Sequence, residues 1–195
     1  LAAQPLVSLG GLSPLSTMEV NIMGTANILE SARQHNLKGM VLASTTHVYG
    51  DNPVPFLEEY FPRPSSPYET SKACADMLAQ MYTQYYSVPI AIGRFVNIYG
   101  PGDEKERIVP RTIKLILQSK NPEIFNDAVT RDYMYIDDAV SGYVLLAEKI
   151  PELTKNHGNI IYNFGSGTHY SSKTVIETIL RLMDRPQIKP VYITG

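Results

Sequence analysis

The stretch Ser65-Ser66-Pro67-Tyr68-Glu69-Thr70-Ser71-Lys72-Ala73-Cys74-Ala75-Asp76 decides the fold, because it carries the main signals of a helix start. Ser66 is a good N-cap residue, and Pro67 follows at the first helical position, where a missing N–H has no consequence. Glu69 stands three residues after Ser66 and completes a capping box. The pattern predicts a helix that begins at Pro67 and runs to about Tyr86.

Tyr68 and Lys72 are four residues apart in this predicted helix, so their side chains share one face. An ammonium group beside a phenol favours the phenolate, and a phenolate can take a proton from an alcohol. The same spacing also occurs on exposed helices without any function, since Tyr-x-x-x-Lys is a short pattern. Spacing alone therefore leaves two interpretations open, an acid–base pair and an incidental pair.

An apolar run that ends in hydroxyl side chains precedes the helix, Leu42-Ala43-Ser44-Thr45-Thr46-His47-Val48-Tyr49-Gly50. It predicts a buried strand over residues 39–43 whose C-terminal end opens into a loop. Ligands of open α/β sheets bind at the C-terminal ends of the strands. The Pro-rich stretch after Gly50, up to Pro67, is either a loop over the mouth of a site or a simple connector.

Strands and helices alternate along the rest of the chain, which predicts right-handed βαβ units and an α/β fold. Ser13 and Pro14 begin a helix over 14–34, and the apolar run over 88–95 predicts a central, parallel strand. Further helices are expected over 107–118, after Asp137 as N-cap, and over 172–183. Further strands are expected over 122–125, 160–164 and 188–193. In the helix after Asp137, the residues predicted to face inward are Val140, Val144, Leu145 and Ala147.

Composition narrows the class of protein and its partners. The 195 residues carry a formal net charge of −2 and no basic block, so neither nucleic acid nor a membrane surface is an expected partner. The single cysteine, Cys74, excludes an internal disulfide and favours a reducing, cytoplasmic location. No apolar run reaches the length of a transmembrane helix. No metal site is predicted.

Thr45 at the strand end, together with Tyr68 and Lys72, resembles the Ser/Thr–Tyr–Lys site of the extended short-chain dehydrogenase/reductase family. The members in question are NAD-dependent epimerases and dehydratases of sugar nucleotides. The resemblance covers nearly the whole chain, and its other family-like stretches are Leu1–Val7, Asn21–Asn27, Val96–Gly102 and Arg131–Asp138. Within the family, the CDP-glucose 4,6-dehydratases are most similar, over Leu1–Val7, Ser71–Tyr82, Arg107–Leu117 and Arg131–Leu146.

The resemblance implies a Rossmann-like, doubly wound parallel sheet with part of a small α/β substrate domain. Residues 1–100 correspond to the C-terminal part of the NAD-binding domain. Residues 101–195 correspond mostly to the substrate domain, with about 126–150 returning to the first domain. The family's Gly-x-x-Gly-x-x-Gly fingerprint is absent, so we expect further residues ahead of Leu1 and weak dinucleotide binding by this chain alone. The resemblance also implies a homodimer through helices 14–34 and 67–86.

The resemblance further assigns the site residues. It implies that Thr45, Tyr68 and Lys72 are the catalytic residues, which oxidise the sugar at C4. The implied cofactor is NAD, and NADP is not excluded. The residues implied to contact the cofactor are Leu1, Ala2, Ala3, Ser44, Tyr68, Lys72, Phe95 and Val96. Those implied to contact the nucleoside diphosphate sugar are Thr46, Asn97, Arg107, Ile108, Val109, Phe125 and Arg131. Arginine suits a diphosphate because its planar fork forms paired, charged hydrogen bonds.

The chain departs from the dehydratase pattern directly after Thr45. In dehydratases an Asp and then a Glu or Lys follow the hydroxyl residue, whereas this chain has Thr46 and His47. Threonine cannot act as an acid near neutral pH, while His47 is either a base or a loop histidine without a role. The rest of the chain resembles a dehydratase, whereas this pair of residues does not. A dehydratase is the first hypothesis, a C4-epimerase a close second, and a non-catalytic binder of nucleotide sugars the third. The sequence does not identify the base or the sugar.

Overall fold

The computed structural model describes residues 1–103, 106–125, 127–155 and 160–193, and the chain forms two compact units. Unit 1 comprises Leu1–Val96 and Ala139–Phe164, and unit 2 comprises Asn97–Asp138 and Gly165–Gly195. The segment that returns to the first unit is thus Ala139–Phe164 rather than about 126–150. The reason is that the strand over Thr130–Tyr135 pairs with strands of unit 2.

Helices and strands alternate along much of the chain, and the connection over residues 50–66, ahead of the fourth helix, is long. The helices are α1 (Val7–Leu12), α2 (Pro14–Met18), α3 (Gly24–Gln34), α4 (Pro67–Tyr86), α5 (Ile108–Leu117), α6 (Ile136–Leu153) and α7 (Ser172–Leu182), with a π-helical turn at Glu19–Met23 and a 3-10 turn at Thr46–Tyr49. The strands are β1 (Met40–Thr45), β2 (Ile90–Phe95), β3 (Asn97–Tyr99), β4 (Glu123–Ile124), β5 (Thr130–Tyr135), β6 (Ile161–Phe164), β7 (His169–Ser171) and β8 (Val191–Tyr192). Among the described residues, no helix combines the length and the apolar character needed to cross a bilayer.

A three-stranded parallel sheet in the order β1-β2-β6 is the centre of unit 1. Thr45 at the end of β1 lies beside Phe95 at the end of β2. Side chains alternate between the two faces of a strand. Ile90 and Ile92 accordingly pack with α3 and α4, while Ala91 packs with α6. The sheet is therefore covered on both faces, as the predicted α/β fold requires, and β2 is the central strand.

The helix predicted to begin at Pro67 has the expected bounds, Pro67–Tyr86, and its large apolar side chains do not form the buried face. The apolar residues Met77, Met81 and Tyr85 are exposed. The buried residues of α4 are mostly small, Ser71, Ala73, Ala75, Asp76, Ala79 and Thr83. Small side chains let a helix approach the sheet closely, so size rather than hydrophobicity decides which face packs.

The prediction for α6 is wrong in two respects. Val140, Val144, Leu145 and Ala147 are exposed, and the buried residues are Ala139, Gly142, Leu146 and Ile150. A Cβ at Gly142 would lie 2.9 Å from ring atoms of Phe164, so the glycine allows this face to approach the sheet. Asp137 is not an N-cap, because α6 begins at Ile136 directly after β5 and places Asp137 in the first turn.

Unit 2 combines two small sheets with two helices. In the first sheet β5 pairs parallel with β3 and antiparallel with β7, and in the second β4 pairs parallel with β8. The core between α5 and α7 consists of Ile116, Ile124, Ile176, Leu180 and Ile188. The predicted helices of this unit are present within a few residues, whereas β3, β5 and β7 were not predicted as strands.

A buried ion pair joins α4 to the centre of the sheet in unit 1. The Arg94 guanidinium donates from Nε and Nη2 to the two carboxylate oxygens of Asp76, each over 2.9 Å. Ser44 and Gln80 donate to the same carboxylate over 2.6 and 2.8 Å. Both charged side chains are fully buried. Burial alone would lower the pKa of Arg94, but the hydrogen bonds and charge of Asp76 raise it above its usual value.

We expect Arg94→Met to lower the free energy of unfolding by about 3–5 kcal/mol, because it leaves a buried carboxylate without its charged partner. Urea denaturation followed by circular dichroism measures the change. Lys149→Ala is the control, since the Lys149–Glu152 pair is exposed and such pairs contribute at most about 1 kcal/mol. Equal losses in the two variants would show that the ion pair does not hold α4 on the sheet.

Candidate active site

The last residue of β1, Thr45, stands at the C-terminal end of the parallel sheet. Its side chain is nearly buried, and its Oγ1 accepts a hydrogen bond from the backbone N–H of His47 over 3.3 Å. This bond starts the 3-10 turn over Thr46–Tyr49. Because Oγ1 already accepts one bond, the hydroxyl proton of Thr45 remains able to donate to a bound oxygen.

The start of α4 has the capping box that the sequence predicts. Ser66 Oγ accepts from the backbone N–H of Glu69 over 3.3 Å, and Glu69 Oε2 accepts from the backbone N–H of Ser66 over 3.1 Å. Pro67 occupies the first turn. Tyr68 and Lys72 follow one turn apart on the same face of the helix, so the cap fixes where both side chains begin.

Lys72 connects α4 to β1. Its Nζ donates to the backbone carbonyl of Ala43 over 2.5 Å, two residues before Thr45. Burial lowers the pKa of the Lys72 ammonium, and the charge of Asp76 one turn further along α4 acts in the opposite direction. The ammonium is therefore held at the strand end that carries Thr45.

Two further aromatic side chains and a carboxylate surround Tyr68. The rings of His47 and Tyr68 meet edge to face with centroids 6.5 Å apart, and His47 Nδ1 lies 3.6 Å from Glu69 Oε1. Burial, followed by the neighbouring charge of Tyr68, raises the pKa of Tyr143 to about 12. Tyr143 therefore stays protonated beside Tyr68 at neutral pH.

The first residues of the chain are anchored close to Tyr68 through Asn21. This buried side chain lies in the π-helical turn, where its Oδ1 accepts from the Gln4 N–H over 2.8 Å. Its Nδ2 donates to the Gln4 carbonyl over 3.1 Å and to Ser71 Oγ over 2.9 Å. Ser71 Oγ in turn donates to the Tyr68 carbonyl over 2.7 Å. The segment Leu1–Val7 is thus fixed relative to the start of α4.

In unit 2, the residues expected to bind substrate have varied surroundings. Asn97 Nδ2 donates to the carbonyl of Asp132 over 3.2 Å. Arg107 is the N-cap residue of α5, and its Nε lies 3.6 Å from Asp103 Oδ1. Ile108 packs against the core of the unit, and Val109 beside it is half-buried.

Phe125 and Arg131 are the more accessible of these residues. The ring of Phe125 is 56% exposed, and the guanidinium of Arg111 lies 4.7 Å from its centroid. Arg111 supports the ring from α5, so Phe125 presents a flat apolar surface to solvent. Arg131 lies in β5 opposite Tyr170 of β7 and is exposed. Its guanidinium is accessible to an anionic ligand.

Comparison with known proteins identifies the family of this chain. The model of the NAD dependent epimerase/dehydratase family matches residues 1–165. The chain belongs to this family. A dTDP-glucose 4,6-dehydratase of Mycolicibacterium smegmatis is 34% identical over 189 residues, which are 94% of this chain and 55% of that protein. A UDP-glucuronate 4-epimerase of Thermodesulfobacterium geofontis is 32% identical over 188 residues, which are 95% of this chain and 56% of that protein.

A solved structure agrees with these relatives. The UDP-glucuronic acid 4-epimerase of Bacillus cereus, in complex with UDP-glucuronic acid and NAD, has a TM-score of 0.88 and 29% sequence identity. The match covers 100% of this chain and 61% of that one, and it confirms the predicted Rossmann-like fold. The chain spans little more than half the length of its two curated relatives. Since these are named for dTDP- and UDP-sugars, the predicted likeness to CDP-glucose dehydratases gains no support from them.

Two of the cofactor contacts expected for a member of the epimerase/dehydratase family have other partners here. Ser44 Oγ donates to Asp76 over 2.6 Å. Phe95 is 2% exposed and stacks between Tyr143 and Phe164, with centroids 4.2 and 4.4 Å away. Both side chains thus take part in packing at the C-terminal end of the sheet. The other expected cofactor contacts in unit 1 are more accessible, with Leu1 and Ala2 exposed and Ala3 and Val96 half-buried.

The hydrogen-bond partners of Asp76, Arg94 and Asn21 were not predicted from the sequence. One signal for Arg94 was visible, because a charged residue in an otherwise apolar central strand needs a buried partner of opposite charge. The support of Phe125 by Arg111 had no such signal. Within the described ranges, no cluster of three or more His, Cys, Asp or Glu side chains could hold a metal ion.

Gly10 of α1 is buried where that helix meets the start of α4. A Cβ at Gly10 would lie 3.3 Å from both the Cβ and the backbone nitrogen of Tyr68. A Cβ at the neighbouring Gly11 would have no atom within 4 Å. The two glycines therefore differ in what a methyl group would contact, although they are adjacent in the same helix.

Gly11→Ala should raise the free energy of unfolding by up to about 1 kcal/mol, because alanine has the higher helix propensity. Gly10→Ala should leave the protein less stable than Gly11→Ala, since its methyl group presses on the backbone of Tyr68. Thermal denaturation of the two variants measures the difference. Equal stabilisation by both would mean that α1 does not constrain Tyr68.

Proposed function

We propose that this chain is the catalytic part of an NAD-dependent enzyme that oxidises C4 of the sugar in a nucleoside diphosphate sugar, and that the product is a 4-keto-6-deoxy sugar. The observation that carries the proposal is the placement of Tyr68 and the half-buried Lys72 on α4, against the strand that ends in Thr45. The relatives named as dehydratase and epimerase support it. A binder without catalysis has no need of all three side chains.

Each of these side chains has a role in the oxidation. Tyr68, as a phenolate, takes the proton of the C4 hydroxyl. Thr45 donates its hydroxyl proton to the same oxygen, since its Oγ1 already accepts from the His47 N–H. Lys72 supplies the positive charge that stabilises the phenolate, and its bond to Ala43 keeps the ammonium in place.

The donors of unit 1 fit the nicotinamide end of NAD. Lys72 has a half-buried ammonium with N–H groups for ribose hydroxyls, and Val96 and the segment Leu1–Val7, anchored at Gln4, offer backbone and apolar contacts. When bound, NAD would accept the hydride from C4 and return it to C6 after water is lost, and the protein would supply orientation and charge. NADP fits the same donors at this end of the cofactor.

We assign recognition of the nucleoside diphosphate to unit 2. Arg131 is exposed and suits a diphosphate, and the supported ring of Phe125 suits a nucleotide base. The remaining substrate contacts in the proposal are Asn97, Arg107, Ile108 and Val109, with Thr46 in unit 1. None of these residues selects a particular base, so the substrate must be found by testing donors with several bases.

A C4-epimerase is the second candidate. It is favoured by Thr46, because threonine cannot give a proton to a departing C6 hydroxyl, and by the 32% identity to an epimerase. Dehydration leads because His47 lies beside Tyr68, where an imidazole can take the C5 proton. The two reactions share the oxidation at C4 and differ only in the fate of the 4-keto sugar.

The test uses the complete protein with NAD and CDP-, UDP- and dTDP-hexoses, with products identified by NMR. A 4-keto-6-deoxy sugar is expected. Tyr68→Phe should reduce turnover by at least about 100-fold while substrate affinity stays the same, because the general base is lost and the binding groups remain. Tyr192→Phe, at a position that is 62% exposed on β8 of unit 2, is the control.

A sugar inverted at C4 without loss of water would make the protein an epimerase. No product from any donor would favour the non-catalytic interpretation, in which the protein binds nucleotide sugars only. Turnover that survives Tyr68→Phe would contradict the assigned base.

We also propose a cytoplasmic homodimer through helices 14–34 and 67–86. The support is a set of large apolar side chains that both helices expose, Val20, Met23, Ile28, Met77, Met81 and Tyr85. Exposed apolar patches of this kind commonly mark protein interfaces. The single cysteine is consistent with a reducing compartment.

Ile28→Glu should shift the protein from dimer toward monomer, because it places a charge in the proposed apolar interface. Sedimentation equilibrium measures the molar mass of the complete protein. Leu182→Glu is the matched control, since Leu182 is 78% exposed and lies on α7 of unit 2. A monomeric wild type, or equal effects of the two variants, would exclude this interface.

A further inference from the structure

The two carboxylate oxygens of Glu69 have separate surroundings. Oε2 accepts three hydrogen bonds at the start of α4, from Ser65 N over 2.8 Å, Ser65 Oγ over 3.0 Å and Ser66 N over 3.1 Å. Oε1 instead lies 3.6 Å from Nδ1 of His47. These three bonds therefore fix the carboxylate and direct its second oxygen at the imidazole.

His47 is held between Glu69 and Tyr68. Its backbone N–H is bonded to Thr45 Oγ1, and its ring meets the ring of Tyr68 at an angle of 74°. The side chains of His47 and Glu69 are 26% and 16% exposed, so both are largely shielded from solvent. Contacts of catalytic groups are often long before substrate binds and tighten in the complex, so 3.6 Å is within the range of a working pair.

Glu69 keeps its negative charge in this environment. Burial raises the pKa of its carboxyl group, but the hydrogen bonds from Ser65 and the charge of His47 outweigh burial and lower it. An ionised carboxylate accepts hydrogen bonds and donates none. The nitrogen of His47 that faces it is therefore stabilised in the protonated state, as N–H.

We propose that Glu69 is a positioning residue for His47: it holds the imidazole with Nδ1–H toward Oε1 and leaves Nε2 as the proton acceptor for the substrate. This inference rests on the proposed function, and it names the base for elimination from the 4-keto sugar. Thr46 and His47 stand at the two positions where family dehydratases have an acidic residue followed by Glu or Lys. A carboxylate on α4 thus compensates for a missing one in the loop after β1.

The protons and electrons of the elimination balance with His47 as the one group that carries a proton. Nε2 takes the C5 proton, which is acidified by the C4 ketone, and the electron pair of the C5–H bond forms the C5=C6 double bond. The C6–O bond breaks, and the departing oxygen takes the proton that His47 now carries. One water is lost and His47 returns to its starting form, so Thr46 has no proton to supply.

Glu69→Gln separates the two tasks of this side chain. The three donors at the start of α4 need an acceptor, so they hold the amide oxygen of the glutamine. The amide NH₂ then faces His47 and donates to Nδ1, which moves the ring proton to Nε2. The variant therefore preserves the cap and reverses the tautomer.

The first measurement is ¹⁵N NMR of the His47 ring in the complete protein with NAD bound. The neutral ring should carry its proton on Nδ1 in the wild type and on Nε2 in Glu69→Gln. The second measurement follows the reaction. Elimination should slow by about 10- to 1,000-fold in Glu69→Gln, while substrate affinity is unchanged and reduced nicotinamide accumulates, because oxidation at C4 still proceeds.

Ser66→Ala is the control for a structural effect through the helix start. It removes the hydroxyl that caps Glu69 N–H and leaves the Glu69 carboxylate in place. Elimination and the His47 tautomer should both stay as in the wild type. In a His47→Gln background, adding Glu69→Gln should have no further effect, since a positioning residue acts only through its partner.

The proposal is overturned if Glu69→Gln keeps the Nδ1–H tautomer, if it eliminates water at the wild-type rate, or if Ser66→Ala loses as much activity as Glu69→Gln. Failure of the proposed function has a different result. A wild-type protein that neither reduces bound NAD nor forms product would refute the function, and the tautomer measurement would still decide whether Glu69 orients His47.

Discussion

The buried ion pair between Asp76 and Arg94 is the interaction on which unit 1 depends. Apolar contacts between α4 and the sheet are non-directional and would tolerate a shift along the helix axis. A buried pair of opposite charges does not tolerate such a shift, because each charge needs the other in the paired geometry seen here. Lys72 lies one turn before Asp76 on α4 and Tyr68 lies two turns before it, so the ion pair also fixes the position of both residues along the helix axis.

The same guanidinium fixes the loop that leads from Thr45 to Tyr68. Arg94 Nη1 donates to Tyr49 OH over 2.8 Å, and Tyr49 OH donates to Asn163 Oδ1 of β6 over 2.8 Å. Gly50 then turns with a φ of 56°, and a Cβ there would lie 1.7 Å from the Arg63 carbonyl oxygen. The start of the loop is therefore held against the end of the sheet, and Arg63, near the other end of the loop, lies beside Gly50.

The sequence was sufficient to predict features that depend on nearest neighbours, such as the capping box of α4, its bounds and the shared face of Tyr68 and Lys72. It was insufficient where a choice depends on distant residues. Periodicity identified an apolar stripe on α6, but the close approach of Gly142 to Phe164 decided which stripe packs. Ser44 stays a predicted cofactor contact, and nothing nearby in the sequence indicates that its hydroxyl donates to Asp76.

The network also has a chemical consequence, because the charge of Asp76 acts on Lys72. Burial lowers the pKa of the ammonium, and the negative charge of Asp76 acts in the opposite direction. Arg94 neutralises part of the charge of Asp76. An unpaired carboxylate would attract Lys72 more strongly, but it would itself be too unstable to bury. Arg94 thus lets the protein keep an anion one turn from Lys72, so the ion pair that holds α4 on the sheet also influences the pKa of the Lys72 ammonium.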